Sequence, residues 1–382
     1  MKYLTLIFAN LRRKKLRTAL TVLSIIVAFL LFGYLSAIKT GFTAGVEVAG
    51  ADRLITRNKV SLINLVPLAH KRDIEAIEGV DLVTHQSWFG GIYQQPTNFF
   101  PQFVVEPEPF LDLYPEYVLT EAQKENWLSN RTGVIIGESL VNRFGWKEGD
   151  RIPLLSPIWG NVDGTQDWAF DVSAVYEAAE EGVDTSQMFI RYDYFDEATG
   201  NIGAVGWYTL RIEDPDQAAE VAADIDRAFA NSPDETKTEP EGAFLQGFAN
   251  QVGNIGFIIG AIVSAVFFTI LLVAGNTMAY TVSERTNELA VLKAIGFTDT
   301  GVLSLVLGES LVITALGGGL GLLLAWLMVS AGDPTNGALP IFYIPPQDLI
   351  LGIVLIFALA FVVGIMPARS AMRLQVSDAL RR

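Results

Sequence analysis

The chain has 382 residues, is 51% hydrophobic, carries a formal charge of −15 and contains no cysteine. Without cysteine there is no disulfide framework and no thiol chemistry. The acidic balance argues against nucleic acid as a ligand.

The apolar residues are segregated into runs without a charge, at residues 18–38, 242–283, 310–332 and 349–368. Each reaches the roughly 20 residues that an α-helix needs to cross a bilayer. Four transmembrane helices are expected, at 18–38, 252–280, 301–331 and 348–368. The second is expected to begin as a stalk near residue 242. Basic residues set the orientation. Lys2, Arg12, Arg13, Lys14, Lys15 and Arg17 precede the first span, Arg285 and Lys293 follow the second, and Arg369, Arg373, Arg381 and Arg382 follow the fourth. The 332–347 connection has no Lys or Arg. Both termini and the 281–300 loop are therefore expected in the cytoplasm. The 39–251 segment and the 332–347 connection are expected outside. Residues 39–251 hold 15 basic and 35 acidic residues, so the acidity of the chain resides there.

Taken in order, residues 1–17 read as an amphipathic helix on the inner membrane face, its RRKK cluster toward anionic headgroups. The first span is too long for a signal peptide and is expected to stay as an anchor. Beyond it, residues 54–65 favour a strand or an extended entry. A short helix is expected at 71–78, and strands at 82–87 and 102–106. Pro-rich 107–115 reads as a break. Thr120 caps a helix over 120–128. Further strands are expected at 133–136, 149–155, 171–176, 187–190 and 207–212, with a helical turn at 139–144. Residues 214–231 form the clearest helix of the segment, with Pro215 near its start. Residues 232–241, with Pro233 and Pro240, read as a hinge or loop. The mixture predicts an α+β domain.

In the second span Gly256 and Gly260 are spaced for close helix approach, as are Gly317 and Gly321 in the third. Between these spans lies SERTNELAVLKAIG, residues 283–296. Val282, Leu289, Leu292 and Ile295 suggest one apolar stripe, and Arg285 and Glu288 suit pairing on the opposite face. Gly296 supplies a stop. A short amphipathic helix joined to two spans is what a soluble partner would push on. Glu309, one or two turns into the third span, is costly there and is expected to link to a basic residue near the helix ends.

Several chemistries have no motif. No GxxxxGK[ST] is present to hold a nucleotide, and no HExxH or Cys/His pattern to hold a metal. His70 and His85 are the only histidines, and they read as ordinary surface residues. No nucleophile elbow occurs. Asn130-Arg131-Thr132 matches a sequon, a tripeptide common by chance. The acidic trio Glu177, Glu180 and Glu181 reads as a solvated loop. The spans lack the broken, charged helices of ion-coupled carriers.

Four stretches carry a family resemblance: NLRRKKLRTALTVLSIIVA (10–28), GVIIGESLVNRFGWKEGDRIPL (133–154), the run from SERTNELAVLKAIG through GGGLGLLLA (283–325), and PARSAMRLQVSDALR (367–381). Together they resemble the MacB/FtsX-type permeases, the membrane subunits of ABC transporters. The resemblance implies four transmembrane helices with a large α+β domain between the first two. It implies a coupling helix of Glu284, Arg285, Glu288, Leu292, Lys293 and Gly296 against a cytoplasmic ABC ATPase. It also matches Glu309 to the family's intramembrane carboxylate, and Arg369 and Asp378 to its cytoplasmic tail.

By that resemblance the chain is a non-catalytic subunit of the bacterial inner membrane. It binds no cofactor itself, and ATP and Mg belong to the partner. A second copy, membrane lipids and a periplasmic adaptor or hydrolase complete the expected partners. The function implied is mechanical transmission for export of an amphiphile, peptide, antibiotic or lipoprotein. The alternative is an FtsX-like regulator whose outer domain activates a cell-wall hydrolase. About 210 residues of outer domain favour the MacB-like branch.

Overall fold

A computed structural model describes residues 6, 13–48, 50–180, 182–251, 255–332 and 341–373. The chain divides into two compact units. The first contains the apolar helices α1 (Lys15–Val48), α9 (Ile255–Glu284), α11 (Asp299–Ser330) and α12 (Pro346–Met372). Among the described residues these four are long and apolar enough to cross a membrane. In such helices every backbone group is satisfied within the segment, which is what hydrocarbon demands. Pro367 sits inside α12 without ending it. Much of the expected N-terminal amphipathic helix falls outside the described residues, as do residues 333–340 of the 332–347 connection and the end of the tail with Asp378.

Small residues set the packing of this unit. A Cβ on Gly317 would meet Ile25 at 2.7 Å, and one on Gly321 would meet the Ile26 carbonyl oxygen at 2.6 Å. On the α12 side, a Cβ on Gly318 would meet Ile356 at 2.4 Å. The glycine row of α11 thus lets α1 and α12 approach its backbone from two sides. Ser310 Oγ donates to the Ala360 carbonyl at 2.8 Å. Phe267 of α9 packs edge-on against Phe29 and Phe32 of α1, ring centroids 5.2 and 5.9 Å away. Of the four helices α9 buries the least. Gly256 is half-buried and Gly260 is exposed, with nothing within 4 Å of a Cβ at Gly260.

The inserted domain begins at β1 (Arg53–Asn58) and continues through β2 (Val66–Pro67), α2 (His70–Glu75), β3 (Val80–Trp88) and β4 (Gln102–Val105). Next come α3 (Pro107–Leu113), β5 (Tyr117–Val118), α4 (Glu121–Ser129), β6 (Gly133–Gly137), α5 (Glu138–Phe144) and β7 (Arg151–Leu155). The chain then forms β8 (Asp167–Ala178), β9 (Met188–Arg191), α6 (Tyr192–Ala198), β10 (Ala204–Val205) and β11 (Trp207–Ile212). After a 3₁₀ turn at Pro215–Gln217 it closes with α7 (Ala218–Ala228), β12 (Thr236–Pro240) and α8 (Glu241–Gln251).

Ten strands make one mixed sheet, ordered β12-β1-β11-β3-β4-β9-β6-β8-β5 with β7 on β8. Its pairs are antiparallel except β4 with β9 and β6 with β8. Successive side chains on a strand point to opposite faces. Val104, Ile136 and Ile190 accordingly enter a core with Ile74, Leu140, Phe195 and Ile225. Their neighbours Val105, Ile135 and Phe189 enter another with Phe110, Leu113 and Trp127. Helices therefore cover both faces of the sheet, giving the mixed α/β domain between the first and second apolar helices.

Three expectations are corrected here. Residues 107–113 form a helix, not a break: Pro107 and Pro109 occupy its first turn, where backbone N–H groups have no intrahelical acceptor. The 232–241 stretch contains edge strand β12, which pairs with β1 from Leu54↔Pro240 to Asn58↔Thr236. Pro240 is tolerated at the strand end of a sheet edge. His85 is 2% exposed, edge-on to Tyr192 and Tyr208, and His70 is half-buried and stacks on Phe229. The expected stalk is not among these: 241–251 is helical, and α9 is described from Ile255. The junction expected as a stalk lies outside the described residues.

The points where the chain enters and leaves the domain are joined by a buried cluster. Arg53 Nε donates to Glu241 Oε2 at 2.6 Å, and its Nη2 donates to Glu116 Oε1 at 2.7 Å. Tyr114 Oη donates to Glu241 Oε1 at 2.8 Å, beneath the Arg53 guanidinium. Burial pushes the Tyr114 phenol well above its ordinary range, with Glu241 adding to the rise.

Candidate functional site

The stretch between the second and third apolar helices folds as α10 (Thr286–Ala294). Arg285 interrupts the preceding helix with φ −104° and ψ 15°, so α10 starts a new axis. Its C-terminal end is a Schellman closure. Gly296 takes φ +107°, Phe297 N–H donates to the Leu292 carbonyl at 3.0 Å, and Gly296 N–H donates to that of Lys293 at 3.1 Å. Glycine occupies this left-handed position without a Cβ clash. Thr298 then caps α11 by accepting from Gly301 N–H at 3.1 Å.

Positions four apart on α10 share a face. Arg285, Leu289 and Lys293 form its inner row. Leu289 is 2% exposed and packs in the helical core. Arg285 Nη1 donates to both oxygens of Glu309, at 2.9 and 3.0 Å, and its Nε reaches Glu288 at only 3.4 Å. Glu309 itself is 3% exposed. Lys293 Nζ donates to the Met372 carbonyl at 2.5 Å and pairs with Asp299 at 2.8 Å. One cation thus fastens the start of α10 to α11. The other fastens its end to the last turn of α12 and the first of α11.

The opposite row is Asn287, Val291 and Ile295. Val291 is 48% exposed and Ile295 71% exposed. This corrects the expected stripe. Three-residue steps drift by about 60° each on a 3.6-residue helix, so Ile295 lies about 120° from Leu289. Arg285 does pair with Glu288, at 3.4 Å, but its shorter contacts run inward to Glu309. A buried carboxylate on α11 draws it inward, and a pair in that setting is held far more firmly than one in water. Leu292 is half-buried, and Lys293 is committed to its own chain. Of the six residues expected to meet a partner, Glu284 and Gly296 are exposed and Glu288 is half-exposed.

A second set of pairs ties the entry of α1 to this region. Arg17 Nη1 donates to Glu284 Oε2 at 2.9 Å, and Lys14 pairs with the same carboxylate. Arg13 pairs with Glu288. Partial burial opposes ionisation of Glu288, and Arg13 and Arg285 more than offset it, leaving this carboxyl below its ordinary range. A cavity of about 200 Å³ runs between these residues to Arg285 and Glu309, past Thr18, Thr277 and Thr281. Among the described residues no group of three or more His, Cys, Asp or Glu side chains could hold a metal ion. The arrangement positions a helix.

Residues 255–376 match the FtsX-like permease C-terminal family. Over 403 aligned positions the chain is 24% identical to an uncharacterized ABC transporter permease of Methanocaldococcus jannaschii, covering 99% of this chain and 97% of the relative. The chain is MacB/FtsX-like over its C-terminal third and is similar along its length to an ABC transporter permease. This permease is also 33% identical over 129 residues to the macrolide export ATP-binding/permease protein MacB of a Shewanella species. That match covers 32% of this chain and 19% of the longer protein. The periplasmic region of MacB from Actinobacillus actinomycetemcomitans is a structural neighbour with TM-score 0.38 and 12% identity, covering 54% of this chain and 96% of that one. The chain's four long apolar helices are those of a multi-pass membrane protein.

Proposed function

We propose that this permease transmits movement from a separate cytoplasmic ATPase to its inserted domain, and that the work drives export of an amphiphilic, peptide, antibiotic or lipoprotein substrate. The observation that carries the reading is the double fastening of α10. A helix pinned at Arg285 and Lys293 cannot slide on its own. A push on its outer face therefore moves α11 and α12 with it. Such a rigid-body shift does work only if the ATPase binds the two positions with different affinity.

The outer row defines the docking face. Asn287, Val291 and Ile295, flanked by Glu284, Glu288 and Gly296, would meet the ATPase. Arg285, Leu292 and Lys293 would hold the helix in place behind them. The Lys and Arg residues at the α1 entry, on α10 and in the tail support a bacterial inner-membrane orientation with both termini cytoplasmic. A second permease copy would cover α9, whose exposed Gly260 leaves room for close approach. Arg369 ends α12 beside the Lys293 fastening and would belong to the cytoplasmic surface, together with Asp378.

The test is co-purification with the cognate ATPase, comparing wild type with Val291→Asp and Ile295→Asp. Loss of association, with the permease still folded, is expected. Undiminished association and ATPase stimulation in both variants would remove α10 as the docking element.

A further inference from the structure

Beside the α1 entry, a groove of about 640 Å³ lies between α1 and α9. Its mouth is formed by Lys14, Lys15 and Arg17, and its wall by Leu16, Leu20 and Val273. Leu16 is 76% exposed and Leu20 56% exposed. The groove is thus cationic at the bilayer edge and lined below by Leu16, Leu20 and Val273 with Thr21, Ser24 and Thr277, whose hydroxyls donate to backbone carbonyls of their own helices, along a helix whose membrane-crossing stretch starts at Lys15. The cations are not equivalent. Lys14 and Arg17 share the single carboxylate of Glu284, and the Arg17 guanidinium lies 4.8 Å above the Tyr280 ring. Lys15 is exposed and has no carboxylate partner among the described residues. Three positive charges at the mouth face one negative charge.

We propose that this groove binds one anionic phospholipid. Lys15, with Lys14 and Arg17, holds the phosphate, and one acyl chain lies along Leu16, Leu20 and Val273. The chemistry excludes the simpler occupants. A zwitterionic lipid brings its own cation and leaves the excess charge unmet. A free phosphate meets the charge but leaves the apolar wall bare. The phosphate also competes with Glu284 for Lys14 and Arg17. An occupied groove therefore loosens the pairs that join the α1 entry to the end of α9, one residue before Arg285. Lipid composition would in this way set how tightly α1 follows α10. The binding step needs only this chain, so it stands or falls independently of the transmission reading.

Native mass spectrometry of the full-length permease, released from detergent and titrated with phosphatidylglycerol or phosphatidylcholine, tests the proposal. Preferential retention of one phosphatidylglycerol per chain is expected. Lys15→Gln should lower its retention about fivefold, the value of one basic residue at an anionic surface, and Lys15→Arg should restore it. Glu284→Gln should raise retention, because it releases Lys14 and Arg17. A residue that merely flanks the membrane gives no such increase. Equal retention of the two lipids, or insensitivity to both Lys15→Gln and Glu284→Gln, would overturn the site. So would displacement of the lipid by millimolar inorganic phosphate, which would assign the cations to a free anion. Exclusion of lipid from a dimeric species would overturn it in favour of a second copy in the groove.

Discussion

Arg285 and Glu309 lie 24 positions apart in sequence, and one guanidinium nitrogen of the first reaches both carboxylate oxygens of the second. The pair sits where a new helix axis begins and where an apolar helix has already entered its packed interior. Removing one partner leaves the other charge buried without this ion pair, which costs about 3–5 kcal/mol. Arg285→Ala and Glu309→Ala are each expected to lower the melting temperature in detergent sharply. The Arg285→Met/Glu309→Leu pair should recover much of the loss. A double-mutant cycle with no coupling between the two positions would show that the contact contributes nothing.

The two rows of α10 should separate in their effects. Ile295→Asp and Val291→Asp are expected to leave the stability within about 0.5 kcal/mol of wild type while abolishing ATPase stimulation. Leu292→Ala, on the half-buried side, should cost about 2 kcal/mol in stability instead. Thermal melts and ATPase assays on the same preparations read both outcomes.

The glycines of the second and third apolar helices should also part company. Gly321→Val places a side chain against the Ile26 backbone and is expected to prevent folding. Gly260→Leu meets nothing within its own chain. It should fold normally and lose self-association if α9 faces a second copy. Cross-linking and size-exclusion chromatography distinguish the two results.

In the inserted domain, Thr120 and Gln123 cap α4 reciprocally. Thr120→Ala is expected to cost about 1 kcal/mol. Trp127→Ala, which removes a fully buried ring whose Nε1 donates to the Gly133 carbonyl, should cost about 3–5 kcal/mol. Hydrogen exchange on α4 and β6 in the intact permease measures both.

Burial, assisted by the positive charge of Lys71, depresses the His85 imidazole to about 3. Around it stand Tyr192, Tyr208 and the Lys71–Glu106 ion pair. The unfolded chain binds a proton near pH 6.5 and the folded chain does not. The domain therefore has its full stability above about pH 6.5 and loses it progressively as the pH falls toward 3. Hydrogen exchange of β3 should accelerate over that interval, and His85→Gln should flatten the dependence. An unchanged profile in the variant would show that His85 does not drive it.

Much of the inserted domain was legible because its signals are local. Thr120 and Gln123 stand three residues apart, and Trp207–Ile212 alternates between β-favouring faces in a single short run. The helix at Pro107–Leu113 was hidden because proline marks both a helix start and a break, and only the core contacts of Phe110 and Leu113 separate the two. Strand β12 was hidden for a similar reason. Its TKTEP sequence is polar, and it becomes a strand through pairing with β1, whose partner residues lie 178 to 186 positions away. The cluster of Arg53, Glu116, Tyr114 and Glu241 left no sequence signal, since its members are scattered along the whole domain.

Charge segregation along the chain was enough to determine four apolar helices, the domain between the first two and the polar helix between the second and third. Hydrocarbon admits no unpaired backbone or charge, so the permitted runs can be counted from sequence. Which side of α10 faces outward was decided only by tertiary structure. A periodic pattern gives the angle between residues but not the direction of the core. That direction depends on Glu309, buried on another helix, which turns Arg285 inward, and on the Met372 carbonyl, which does the same for Lys293.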